Sequence, residues 1–452
     1  MVSEREAKFH MLVANYPEMF EISLSPIIPP AHFETEPVSR RRKPLHATAI
    51  AVLALWSIFA TPAFARQVSL EEAVAFAIAN NPDYAAASRE LLYVHGELQR
   101  ANYISQYNPE AFAGGDYRHS SEQWDSEDWR VDLSQQLEIF GQPTLRRQSA
   151  GYAVGRAAAD FANQKRLLIA AVKLTYYAAV RARLDANLFK ELAALDGKLN
   201  DAAQARLKVG EIGQIDANLA RVRFGQSSRA LLDALDRYQI ERLSLGRLLG
   251  GAAGAKPEPA GGLQVEPLVV HAEKLLAMAR ENRPDYRAAK LEIARLETDA
   301  KLNRRLALPN PTVGAFMGRE VVAERFYGVT LGVPLPLFNR RQAEATQIDA
   351  RLLQARDHLR ALDLDIAREV AAGWSRYQTA LAVTEVDRKD MVAPARESFD
   401  LLDAAFVAGK LDLLSLSVAE RQAFEARIAD VSAWFNLAAA EVTLDLAVGG
   451  FQ

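Results

Sequence analysis

The chain contains no cysteine. That absence excludes disulfides, thiolate nucleophiles, thiolate metal sites and lipid attachment to an N-terminal cysteine. Proline is missing from two long spans: none lies between Pro143 and Pro257, and only Pro394 follows Pro336. Such spans favour long, uninterrupted helices, because every backbone donor is kept. An excess of charge of one sign is missing as well, with a formal net charge of −3 over 452 residues. Nothing resembles a nucleic-acid footprint. Beyond residue 66 no stretch reads as apolar and long enough to cross a membrane as a helix. An integral membrane protein of this sequence would have to use strands. What is present is core material, since 50% of the residues are hydrophobic.

The first residues read as an address. Arg40-Arg41-Arg42-Lys43 precedes the apolar run Ala47–Phe59, and Ala63-Phe64-Ala65 follows. These are the basic region, hydrophobic region and small-x-small cleavage site of a secretory signal peptide, residues 40–65, with cutting expected after Ala65. The run is shorter than the ~20 residues of a spanning helix, which disfavours a membrane anchor. Residues 1–39 form an extension ahead of it. The expectation there is a start site assigned too early, with Val38 a candidate. Acids and bases balance in residues 1–65, so cleavage leaves the net charge unchanged.

The remainder reads as a duplication. LEEAVAFAIANNPDYAAASRELL, which begins at Leu70, resembles AEKLLAMARENRPDYRAAKLEIA from Ala272. Pro82-Asp83-Tyr84 matches Pro284-Asp285-Tyr286, and Asn108-Pro109 matches Asn310-Pro311 at the same separation. Two landmarks at one fixed spacing indicate an internal repeat. The first repeat spans 66–249, a Gly-, Ala- and Pro-rich linker 250–268, and the second repeat 269–452. The linker composition predicts an irregular connection.

Each repeat has one plan. A helix of roughly 35 residues leads to Asn-Pro, where proline disfavours α geometry in the residue before it. Two strands follow. A long helix then runs from about Thr144, or Arg341, to a glycine turn near Gly210, or Gly409, and a return helix closes the repeat. A helix from Thr144 to Val209 would be about 100 Å long at 1.5 Å per residue. Leu231, Leu235 and Tyr238, and later Ile428, Val431, Phe435, Ala438 and Val442, recur at spacings of three and four. Such seams suit coiled-coil-like packing.

The strands alternate. Trp129, Val131 and Leu133 point one way, with Arg130, Asp132 and Glu138 on the other face; Tyr327, Val329, Leu331 and Val333 repeat the apolar series. Period two over about ten residues is the pattern of a strand crossing an outer-membrane barrel. The apolar series are expected to face lipid, and Arg130, Asp132 and Glu138 the lumen.

Taken together, the duplicated helix–strand–strand–helix–helix order, the NPDY-like entries and the Asn-Pro before each strand pair resemble the TolC-like outer-membrane efflux protein family. The stretches LEIFGQPTLRR (137–147) and VPLPLFNRRQ (333–342) are similar to its cobalt–zinc–cadmium resistance branch. The resemblance implies a mainly α fold with a membrane β-barrel part, in which four strands per protomer close a twelve-stranded barrel in a homotrimer. The helices would form a periplasmic tunnel. It also implies a periplasmic adaptor and an inner-membrane resistance–nodulation–division pump as partners, in the outer membrane of a Gram-negative bacterium. Closure agrees with physics, because unpaired strand edges in lipid cost several kcal/mol per group.

The family uses its helical tips to touch the adaptor and to close the tunnel. Here they are Val209, Gly210, Gly213 and Asp216, then Gly409, Leu411, Asp412 and Ser415. Family members often carry acids six and nine residues after the second tip glycine, where this chain has Ser415 and Val418. Asp216 is therefore the first candidate for an acidic ring and Asp412 the second; helix capping or surface solvation is the competing reading. The acidic loop 120–128 reads as solvated.

No catalytic constellation emerges: the sequence holds no HExxH, GxSxG or phosphate-loop motif. His95, His119, His271 and His358 are scattered, without ligand spacing. No cofactor, metal site or enzymatic activity is expected. The leading reading is a passive exit duct for heavy-metal cations. The alternatives are a drug or organic-solute channel of the same fold, and a soluble or peripheral helical scaffold of the envelope.

Overall fold

A proline breaks the first helix of each repeat into two. The computed structural model describes residues 67–119, 125–251, 256–263, 268, 271–320, 324–407 and 413–450. The signal segment, with Ala63 and Ala65, lies outside the described residues. The described residues form one unit, which begins at the short strand β1 (Gln67–Val68). Ser69 then caps α1 (Leu70–Asn80): its hydroxyl accepts from the Glu72 N–H, while its own N–H donates to the Glu72 carboxylate at 3.0 Å.

The expected single helix ends at Asn80. Asn81 is extended (φ −69°, ψ 122°), and Pro82 opens α2 (Pro82–Ala101) at a position where a missing N–H costs nothing. The second repeat does the same: α5 (Ala272–Asn282), then extended Arg283 (φ −69°, ψ 119°), then α6 (Pro284–Leu306). The Pro-Asp-Tyr landmark that marks the duplication is thus also the helix break.

Between these helices lie β2 (Glu110–His119), β3 (Asp125–Gln136), α3 (Gln142–Lys208) and α4 (Gln214–Leu248). The helix α3 is continuous for 67 residues. Its counterpart is not. After β5 (Thr312–Glu320) and β6 (Glu324–Gly332), α7 (Gln342–Val386) passes into a π-helical turn, Asp387–Val392, before α8 (Ala393–Val407). Pro394 explains the defect: it has no N–H, and its ring would clash with the Asp390 carbonyl in a regular α-helix. The final helix is α9 (Leu413–Val448).

The linker is not irregular throughout. Its β4 (Glu258–Pro259) pairs in parallel with β1, Gln67 opposite Glu258 and Val68 opposite Pro259. Tyr176 of α3 donates its hydroxyl to the Val68 carbonyl at 3.2 Å and also reaches the Ala260 carbonyl.

Two cores sit one per repeat. Val68, Ala73, Ala77, Val172, Tyr176 and Leu245 form the first; Leu275, Ala279, Ile366, Tyr377, Leu437 and Leu444 form the second. The helix α3 packs on α1, α2, α4, α6 and α9, so it ties the repeats together. The α4 seam lies one residue from its expected place, with Ala234 buried and Leu235 exposed. Small residues take the contact because helices approach more closely over alanine. Along α9, Ala438 and Val442 are buried as expected, joined by Ala433, Leu437 and Leu444. This helix also corrects the reading that no stretch could span a membrane: Val418–Val448 is long and apolar enough by length and composition. Its apolar residues pack on α3, α5, α7 and α8 as core.

Candidate functional site

The four long strands form one antiparallel sheet in the order β2-β3-β5-β6, so β3–β5 pairing joins the repeats. The register decides the faces, because residues directly opposite each other share a side. Val131 lies opposite Ala113 and Met317; Leu133 lies opposite Ala111 and Ala315; Val313, Ala315 and Met317 lie opposite Leu331, Val329 and Tyr327. Trp129, Val131, Leu133, Tyr327, Val329 and Leu331 are therefore on one continuous face. All are exposed, Tyr327 by 88% and Val329 by 85%. Val333 falls outside this set: β6 ends at Gly332, and Pro334 and Pro336 lack the N–H groups needed to extend it.

The opposite face is small, charged and aromatic. Arg130 and Asp132 are paired side by side, with nitrogen–oxygen distances of 2.6 to 3.0 Å. The Arg130 guanidinium also lies 4.6 Å from the centre of the Phe316 ring. Phe316 covers Gly328 on the neighbouring strand, and Phe326 covers Gly318; a Cβ on either glycine would meet a ring carbon within 2.6 Å. Arg118 bridges Asp128 at 2.9 Å and Glu320 at 3.3 Å. Phe316, Phe326 and Arg118 were not singled out in the sequence, since their alignment depends on register. Glu138 is placed differently from its neighbours. It follows β3, keeps only 2% of its side chain exposed, and pairs with Arg146 of α3. Its carboxylate is committed to the strand–helix corner and is not a free lumenal group.

That corner explains the Asn-Pro landmark. Gln142, fully buried at the start of α3, donates to the Asn310 side chain at 2.7 Å and accepts from the Phe140 N–H at 2.9 Å. Gln342, at the start of α7, makes the same local bond to the Arg340 N–H at 2.8 Å but is exposed, as is Asn108.

At the other end of α3 the chain reverses. Val209 is the C-cap; Gly210 has φ +77°, a conformation disfavoured for residues with a Cβ; Gly213 caps α4. The Glu211 N–H returns to the Arg206 carbonyl at 3.0 Å, closing the helix end. Asp216 is exposed in the first turn of α4, where the helix dipole favours a carboxylate. Gly409, Leu411 and Asp412 of the second tip lie outside the described residues. Ser415 is in the first turn of α9. Among the described residues, no group of three or more His, Asp or Glu is arranged to hold a metal ion.

A sheet with one exposed apolar face, continuous with helices of up to 67 residues, defines a membrane channel protomer with a long helical extension. The comparisons with known proteins agree. Residues 275–450 match the outer membrane efflux protein family. The chain is 25% identical over 393 residues to the cobalt-zinc-cadmium resistance protein CzcC of Cupriavidus metallidurans, spanning 86% of this chain and 92% of CzcC. It is 23% identical over 452 residues to the pyoverdine export outer membrane protein OpmQ of Pseudomonas putida, covering 94% of this chain and 92% of OpmQ. Its fold superposes on the outer-membrane channel OprN with a TM-score of 0.70 at 18% identity, over 88% of this chain and 92% of OprN.

The chain is similar to the outer membrane efflux protein family, whose model matches its second half, and to relatives over most of its length. It is an outer-membrane efflux channel of a Gram-negative bacterium, a passive protein and not an enzyme, with its helical part in the periplasm.

Proposed function

We propose that three copies close their sheets into a twelve-stranded barrel, and that the trimer is the exit duct of a tripartite system exporting heavy-metal cations. The observation that carries closure is the pair of free edges. Within the chain β3 pairs with β5, while the outer edges of β2 and β6, at the ends of the sheet, have no partner strand among the described residues. An open edge is not tolerated in hydrocarbon. Repeat symmetry supplies the missing register. Leu133 faces Ala315 within the chain; Leu331 corresponds to Leu133, and Ala113 to Ala315. Leu331 should therefore face Ala113 of the neighbouring copy, and Tyr327 its Tyr117. The same symmetry would bring exposed Gln342 onto the neighbour's exposed Asn108, as Gln142 holds Asn310. Exposed Leu219, Val222, Leu232 and Leu243 on α4 supply further apolar surface for a neighbouring copy.

The absence of cysteine makes the test clean. A chain carrying Leu331→Cys and Ala113→Cys should oxidise to covalent trimers, while Leu331→Cys with Gly114→Cys should not. Cross-linked dimers without trimers would reject the closed ring.

The metal cargo rests on the likeness to CzcC, and OpmQ supports the alternative of organic-solute export. An adaptor and an inner-membrane resistance–nodulation–division pump would choose the cargo and supply the energy. The tip residues Val209, Gly210, Gly213, Asp216, Gly409, Leu411, Asp412 and Ser415 would meet the adaptor, with Asp216 of three copies forming an acidic ring that favours cations. Growth of a deletion strain on Zn²⁺, Co²⁺, Cd²⁺ and Cu²⁺ tests the cargo. Selective sensitivity, rescued by the intact gene, is the expected result; sensitivity to organic compounds alone would transfer the reading to the alternative.

A further inference from the structure

We propose that Asp196, Arg223 and Glu420 form a protonation-sensitive clasp that holds α9 on the α3–α4 hairpin. Arg223 of α4 reaches Asp196 of α3 at 2.7 Å and Glu420 of α9 at 2.9 Å, so one guanidinium joins three helices. Both carboxylates are buried, with 3% and 5% of their side chains exposed. Glu420 has a second oxygen, Oε1, with no hydrogen-bond partner among the described residues. Glu420 also lines a cavity of about 690 Å³ between α3, α8 and α9, beside the π-helical turn. Two carboxylates thus share one cation, and one of them carries a buried, unpartnered oxygen. That arrangement is satisfied when Glu420 holds a proton and is over-charged when it does not.

The other charged groups around the cavity do not relieve it. Glu191 is engaged by Arg427 at 2.6 Å, while Arg396, Asp400 and Asp430 line the remaining wall. Asp430 and the nearby buried Asp387 add negative charge, and the first keeps its own carboxyl raised mainly through burial. Burial, opposed by Arg223 and reinforced by Asp196, pushes the Glu420 carboxyl up to about 7. A state in which α9 lifts and Glu420 meets water would return it towards the ordinary carboxylate range. The clasped state therefore binds the proton more tightly. It is fully favoured below the ordinary carboxylate range, weakens as pH rises from there to about 7, and changes no further above that value. Two helix hairpins joined this way would change their spacing between mildly acid and neutral pH; that consequence for conductance rests on the channel reading, whereas the clasp itself does not.

The test is amide hydrogen exchange of the purified full-length protein in detergent between pH 5.5 and 8.5, corrected for intrinsic exchange with unfolded peptides. The wild type should protect residues 214–230 and 418–431 at pH 5.5, lose several-fold protection by about pH 7, and stay level from there to pH 8.5. Glu420→Gln, neutral and of the same shape, should stay protected throughout. Asp196→Asn leaves one carboxylate for one guanidinium and should flatten the profile. A wild-type profile without a step, or a step retained in Glu420→Gln, overturns the clasp. Conductance of the same samples in planar bilayers reads the channel separately: protein that shows the exchange step but never conducts would retain the clasp and count against the duct.

Discussion

The two repeats build the same joint from different chemistry. In each, an extended residue before proline sits under the end of the repeat's last helix and donates to one of its final carbonyls. In the first repeat that residue is Asn81, whose amide donates to the Leu248 carbonyl at 3.0 Å while its oxygen caps α2 through the Tyr84 N–H. In the second it is Arg283, which donates to the Ala447 carbonyl at 3.3 Å and pairs with Asp285 and Glu369, both at 2.6 Å. Arg166 of α3 adds a contact to Asp285 at 3.4 Å. A neutral amide closes the joint with one distant carbonyl and one local cap; a buried cation closes it only with a network of further charges drawn from three helices. Beyond the distant carbonyl that both share, the second joint therefore depends on charged groups far away in sequence, and the first does not.

The largest effect should come from breaking that network. Arg283→Ala removes a buried cation and leaves the half-buried Asp285 without its partner, which should cost up to about 3 kcal/mol, the low end for breaking a buried pair from one side. Calorimetric unfolding in one detergent compares it with wild type. If the loss matches that of a surface substitution, the network is ornamental and the comparison fails.

A glycine ends the last helix of each repeat at this joint, and the two differ in clearance. Gly250 has φ +64°, and an added Cβ would lie 2.1 Å from the Asn80 carbonyl oxygen; Gly449 has φ +93°, and its nearest contact would be 3.0 Å. Left-handed backbone alone costs a residue with a Cβ about 1–2 kcal/mol. Gly250→Ala must also displace α1 and should lose more than Gly449→Ala. The reverse order in paired melts would mean that the first joint is the looser one.

Asn81→Ala should be milder still. It deletes one cap and one bond to a helix end, worth about 1–2 kcal/mol together. Asn81→Asp separates the two roles: the carboxylate keeps the cap but cannot donate to Leu248, so it should recover only part of the loss.

The joints also show what could be read beforehand. The repeat, the long helices and the first glycine turn are local properties of sequence, and so were visible as spacing, missing proline and Gly210. The faces of β3 and β6 were visible because alternation with a period of two survives without a partner. The proline of Pro82-Asp83-Tyr84 was read as a repeat mark, although its place within an otherwise helical pattern already announced a helix break. The π-helical turn had a visible cause in Pro394 but no visible length. Other features depended on partners distant in the chain. Glu138 looked like one more polar residue of a strand until Arg146 claimed it, and Phe316 gained its meaning only when the register set it over Gly328. Arg283 gave no signal that it would be buried.

The smallest effect expected is in the acid range, and it too separates the joints. Burial raises the Asp285 carboxyl, but hydrogen bonds and charge from Arg283, then Arg166 and the Tyr286 N–H, outweigh it and hold the group below the usual value of 3.8. Its contribution is therefore present above that value and is lost as pH falls through the depressed one. Asn81 has no such group to lose. Exchange measured on peptides of the second joint should rise at acid pH before that of residues 78–84, by a modest factor, because Asp285 keeps 21% of its side chain in solvent. Arg283→Gln should abolish the difference, since an amide makes the second joint resemble the first. If both joints loosen together in the wild type, their different chemistry has no consequence for stability, and Arg283 is simply another way to bond a carbonyl.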